Sequence, residues 1–119
     1  MVLVDTSVWI DHFCRGNTVL TGLLDDIEVV THPYIIGELA CGNIRNRSIV
    51  LDLLQALPSL GEISRNEYLL FIERHSLYGK GLGFVDIHLV GSAYLHRCPL
   101  FTLDKRLRSA AQSFGLIYR

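Results

Sequence analysis

The chain has 119 residues, 50% of them hydrophobic and 19% charged, with 11 basic against 12 acidic side chains. That suffices for a single domain spanning residues 1–119 and is too apolar for intrinsic disorder. A net charge of −1 excludes coating of nucleic acid by bulk charge, and no apolar run approaches the ~18 residues of a membrane span.

Met1–Val4 is a β-branched apolar run meeting Asp5, read as a buried strand and, lacking a basic flank, not as a signal peptide. Thr6 or Ser7 is placed to cap a helix carrying Val8, Trp9, Ile10 and Phe13, broken at Arg15-Gly16-Asn17. Thr18–Asp25 follows as a second helix and Ile27–Thr31 as a strand. Pro33 opens a helix over Tyr34–Cys41 that stops at Gly42. Ile49, Val50, Leu53, Leu54 and Leu57 predict a helix over Ser48–Leu57, closed by Pro58. Ser64 and Glu67 form a capping-box pattern opening a helix that runs to Tyr78. The glycine-rich Gly79–Gly83 then leads into a helix over Val85–His96, where Gly91, Ser92 and Ala93 permit close packing. Leu100–Leu103 reads as a strand, Lys105–Phe114 as a helix and Leu116–Tyr118 as a last short strand. Strands alternating with helices predict an α/β fold, a three-layer α/β/α sandwich with a central parallel sheet. Cys14, Cys41 and Cys98 are odd in number and without a CxxC spacing, which favours free thiols in a cytoplasmic protein over disulfides or a zinc site.

Four acids stand apart from the solvated majority. Asp5 and Asp104 each follow a predicted strand, and ligand crevices of parallel sheets open at the carboxyl ends of strands. Glu38 interrupts an otherwise apolar helix, and Asp86 opens a helix just after the glycines. Each also has a plain alternative: Asp5, Asp86 and Asp104 suit helix N-termini, and Glu38 can extend to solvent. Carboxylates crowded into one pocket repel and require a cation, and all-oxygen donors select Mg²⁺ or Mn²⁺ over zinc. Such an ion activates water and stabilises phosphoryl charge, so metal-assisted phosphodiester hydrolysis is the matching reaction. The five histidines lack ligand spacing on any one helix face and are read as structural or surface residues.

The motifs Val4-Asp5-Thr6-Ser7, Ile36-Gly37-Glu38-Leu39, Gly81 to Leu89 and Thr102-Leu103-Asp104-Lys105-Arg106-Leu107, in this order across almost the whole chain, resemble the PIN-domain ribonucleases. Within that family they resemble the VapC-type toxins of toxin–antitoxin pairs. The resemblance implies that Asp5, a buried Glu38, Asp86 and Asp104 are catalytic and hold Mg²⁺ or Mn²⁺, with Thr102 facing their pocket as a substrate-binding residue. It also implies a homodimer that cuts structured RNA such as tRNA and is silenced by a cognate antitoxin protein.

Lys105 and Arg106 follow Asp104 and are candidates for binding substrate phosphate. Arg108 clusters with them, and Lys80, Arg45 and Arg47 are read as lying in loops placed to border the crevice. The apolar surplus of Tyr34–Cys41 and Ile49–Leu60 points to an interface with a second copy or an antitoxin. Three other readings compete with this one. A phosphoacceptor receiver domain lacks its acidic pair, because Thr6 and Ser7 follow Asp5. A haloacid-dehalogenase-type phosphatase lacks its second Asp, because Ser7 stands there. A PIN-like domain that binds RNA or a partner without cutting is the third, and the four acids argue against it.

Overall fold

The computed structural model describes residues 1–119. Three strands, β1 (Val2–Val4), β2 (Val29–Val30) and β3 (Leu100–Phe101), form a parallel sheet in the order β2-β1-β3. Seven helices connect and cover them: α1 (Thr6–Arg15), α2 (Thr18–Asp25), α3 (Pro33–Ala40), α4 (Arg47–Gln55), α5 (Arg65–His75), α6 (Phe84–His96) and α7 (Lys105–Ser113). Successive strand residues face opposite sides of a sheet. Val2, Leu3 and Val4 are nevertheless all buried, so the sheet is covered on both faces, as the sandwich expectation requires. α3 packs on α1 and α4, while α6 packs on α5 and α7. Leu3, Leu20, Ile35, Leu89, Leu100 and Leu107 are fully buried in the single core.

β1 is central, with its register running Leu3 to Val30 on one side and Leu3 to Leu100 on the other. The chain leaves β1 toward β2 and later returns to the opposite flank as β3. The carboxyl end of β1 is therefore a topological switch point, where such sheets open a crevice. Asp5 stands there.

Several boundaries differ from expectation for local reasons. The first helix is capped by Asp5, not by Thr6 or Ser7. Ile27 is not in a strand: it takes a left-handed φ of 55° in the turn closing α2 and is 79% exposed. α5 ends at His75 because Ser76 turns left-handed (φ 51°) and the Leu77 N–H closes on the Ile72 carbonyl. Leu116–Tyr118 contributes only a parallel bridge of Ile117 to Leu100. β3 stops at Phe101 rather than Leu103: the Leu103 amide donates to the Ser7 hydroxyl at 3.0 Å instead of to a strand. The tight helix packing expected at Gly91 is present: a Cβ there would stand 2.7 Å from Ile63 Cδ1.

Candidate active site

The carboxyl ends of β1 and β3 are tied together by hydroxyls. Asp5, 6% exposed, receives three hydrogen bonds on one oxygen, Oδ2. They come from the Ser7 amide at 3.4 Å, the Ser7 hydroxyl at 2.7 Å and the Thr102 hydroxyl at 2.8 Å. Each hydroxyl spends its single proton on Asp5 and so is left as an acceptor. Ser7 Oγ accepts the Leu103 N–H and Thr102 Oγ1 accepts the Asp104 N–H, each at 3.0 Å. This web draws the residue after β1 and the segment after β3 to one point. Asp104 in turn caps α7, its Oδ1 accepting the Arg106 and Leu107 amides at 2.9 and 3.2 Å.

The other two acids arrive from α3 and α6. Glu38 Oε1 accepts the Thr6 hydroxyl at 2.7 Å, which joins α3 to the start of α1. Asp86 Oδ2 accepts the Gly83 N–H at 2.9 Å and holds the first turn of α6. Partial desolvation of its carboxyl raises Glu38 above the usual range although the residue as a whole is exposed, the Thr6 hydrogen bond opposes this, and the charges of Asp5 and Asp86 add to the rise. Burial likewise raises Asp86, against the Gly83 hydrogen bond, with Asp104 and Asp5 contributing. The four acids thus share one electrostatic neighbourhood.

One regularity runs through the set. Every carboxylate spends one oxygen on an anchor, and the other takes no hydrogen bond from the protein. Neither ion pair of the molecule, Met1–Glu28 or Arg15–Asp11, involves any of the four. No three His, Cys, Asp or Glu side chains of the molecule stand close enough together to hold a metal ion by themselves. The donor set fits a hard divalent ion that keeps part of its hydration, since four anchored carboxylates then supply charge and oxygen without enclosing it.

Some expectations are corrected. Glu38 is exposed, not buried, although its Oε1 is held by the Thr6 hydroxyl. It also borders a cavity of about 510 Å³ with Ile10, Phe13, Ile44 and Arg45. Arg47 does not lie in a loop. It begins α4, and its guanidinium donates to the Ala40 carbonyl at 2.8 Å, closing the end of α3. Thr102 is 1% exposed with its hydroxyl on Asp5, which makes it a positioning residue rather than one open to substrate, while Lys105 and Arg106 are exposed on α7. Of the apolar surplus, α3 buries Ile35 and Leu39, whereas α4 leaves Ile49 and Leu53 63% and 65% exposed. Thr6 and Ser7 are positioning residues that the sequence reading left without a site role. Their signal was the Asp-Thr-Ser run at a strand end, which reads equally well as a helix cap. His32 is structural: its Nδ1 accepts the Tyr34 N–H at 3.0 Å and its Nε2 meets Ser92 Oγ at 3.2 Å.

A parallel sheet with acids gathered at its switch point matches one known class. The PIN domain profile covers residues 2–112, and the chain belongs to this family. Among its relatives is ribonuclease VapC32 of Mycobacterium tuberculosis, found in two strains, each 44% identical over 117 residues. The match covers 98% of this chain and 94% of the relative. A solved structure of FitAB bound to an IR36 DNA fragment shares the fold, with a TM-score of 0.61 at 18% identity. It matches over 94% of this chain and 91% of its own. No helix is long and apolar enough to cross a membrane.

Proposed function

We propose that this chain is a metal-dependent endoribonuclease, the toxin of a toxin–antitoxin pair, hydrolysing phosphodiester bonds in structured RNA such as tRNA. The observation that carries the reading is the set of four carboxylates, each anchored through one oxygen and none paired with a cation. Similarity to ribonuclease VapC32 over nearly the full length supports it.

Asp5, Glu38, Asp86 and Asp104 would hold Mg²⁺ or Mn²⁺. When bound, the ion supplies acidification of water and stabilisation of phosphoryl charge. The chain supplies the geometry. Ser7 and Thr102 fix the Asp5 carboxylate, Thr6 fixes Glu38, and the capping bonds of α6 and α7 fix Asp86 and Asp104. Orientation set before substrate arrives removes a reorganisation cost from the reaction. Lys105 and Arg106 bind substrate phosphate next to Asp104. The exposed apolar residues Ile10, Phe13, Ile49 and Leu53 form the surface for the antitoxin or for a second copy in a homodimer, and the protein works in the cytoplasm.

The test is cleavage of total cellular RNA by the purified protein with Mg²⁺ or Mn²⁺, beside EDTA and Asp86→Ala controls. Discrete fragments that require both the ion and Asp86 are the expected result. No cleavage by folded, antitoxin-free protein would overturn the reading.

A further inference from the structure

A second concavity lies beside the acids and uses none of them. It has a volume of about 270 Å³ and is bounded by Lys80 and Leu82 of the glycine-rich turn and by Lys105, Arg106, Ser109 and Ala110 of α7. The α7 residues fall at i, i+1, i+4 and i+5, which places them on one face of the helix. Three cations therefore surround one hollow. None takes part in an ion pair, and Ser109 adds a hydroxyl. Cations gathered in a concavity without a carboxylate repel one another, and a bound anion relieves that repulsion.

Arg106 is held in place. Its Nη1 donates to the Gly81 carbonyl at 3.4 Å. Gly81 has φ +74°, and a Cβ there would stand 3.0–3.2 Å from the guanidinium. A residue with a side chain would both strain this turn and crowd the arginine.

The walls of the hollow continue directly into the site. Leu82 precedes Gly83, whose N–H anchors Asp86, and Lys105 follows Asp104 at the cap of α7. An RNA backbone approaching four carboxylates meets repulsion, so a strand seated there needs cationic footing within a few residues of them. We propose that the Lys80–Lys105–Arg106 cavity is a binding subsite for an internal phosphodiester of the same RNA strand that reaches the acids. The inference rests on the ribonuclease reading and deepens it, adding Lys80 and Ser109 to the substrate contacts. Arg supplies directional donors and Lys mobile charge to the phosphate oxygens.

The test measures binding without cleavage. A labelled single-stranded RNA with a 5′-hydroxyl end is titrated in EDTA by fluorescence anisotropy across a salt series. The proteins are wild type, Lys80→Gln, Ser109→Asp and, outside the cavity, Arg65→Gln. Positions 80 and 109 are exposed, and thermal midpoints confirm that each variant is folded. Lys80→Gln is expected to weaken binding about three- to tenfold and to flatten the slope of log Kd against log salt by about 0.7. Ser109→Asp should weaken binding further, and Arg65→Gln should leave the slope unchanged. Unchanged slopes in Lys80→Gln and Ser109→Asp would overturn the subsite. So would a Lys80 effect seen only with 5′-phosphorylated RNA, which would assign the cavity to strand ends. If the subsite fails while Asp86-dependent cleavage persists, the ribonuclease reading stands without it. Wild type that neither binds nor cuts RNA removes both.

Discussion

Asp104 does two jobs that can be separated chemically. Its Oδ1 caps α7, and its second oxygen takes no hydrogen bond from the protein. Asparagine caps as well as aspartate but carries no charge. Asp104→Asn is therefore expected to keep the wild-type denaturant midpoint while RNA cleavage falls by at least about tenfold. Asp104→Ala should lose the same activity and, in addition, about 1 kcal/mol of stability. Equal destabilisation in both variants would mean that the charge, not the cap, holds the helix. His32 supplies a pH prediction at the same scale. Burial pushes its imidazole down to about 4 from 6.5, so between those values the unfolded chain binds the proton and the folded one does not. The contribution of His32 is complete above pH 6.5 and is lost as pH falls toward 4, by up to about 3 kcal/mol. An NMR titration of the imidazole checks it; protonation near pH 6.5 in the folded state would refute it. At this scale the four candidate acids stand out in the chain, because an Asp ending an apolar run and a Glu within one are local anomalies. Their anchors were not, because a hydroxyl after a strand has several equally good local partners.

At the scale of elements, the two glycines inside α3 and α6 behave oppositely. Nothing lies within 4 Å of a Cβ built on Gly37, whereas one on Gly91 meets Ile63 at 2.7 Å and Phe71 at 3.5 Å. Gly37→Ala should therefore stabilise the protein by about 0.5–1 kcal/mol through the helix propensity of alanine. Gly91→Val should destabilise it by about 1–3 kcal/mol through overpacking between α5 and α6. Denaturant unfolding of the pair decides this, and a loss in Gly37→Ala would show that α3 needs a bare backbone beside Glu38. Helix starts were well legible, as the Ser64–Glu67 capping box and Pro33 illustrate. Helix ends were less so. Ser76 and Arg97 turn left-handed without being glycine, and an arginine or serine carries no local sign of that conformation. The end of β3 differs from expectation for another reason: the Leu103 amide is claimed by Ser7, a partner distant in sequence.

The whole molecule separates its charge. Without Asp5, Glu38, Asp86 and Asp104, 8 acidic residues face 11 basic ones, so the rest of the chain carries +3 against the −4 of these carboxylates. A divalent ion that binds only the folded state should raise the thermal midpoint. At a hundredfold excess over its Kd the gain is about 2.7 kcal/mol. Asp5→Asn should shrink the shift, and equal shifts in both proteins would place the ion elsewhere. Because Glu38 and Asp86 are raised above the usual carboxylate range, protons compete for them first, so the ion's effect should fade as pH drops into the acid range. What the sequence determined by itself was the α/β class, the order of elements and the four acids that stand out as candidates. Each of these is written in near-neighbour terms: apolar periodicity, turn residues, caps and departures from them. Only the tertiary structure decided that β1 lies between β2 and β3, that Ser7 and Thr102 meet on one oxygen of Asp5, and that Glu38 stays exposed. It also decided that Arg47 closes α3 and that Lys80 joins Lys105 and Arg106 around one cavity. Those facts depend on which strand ends become neighbours, and that is settled by burying both faces of the sheet together rather than by any local run of residues.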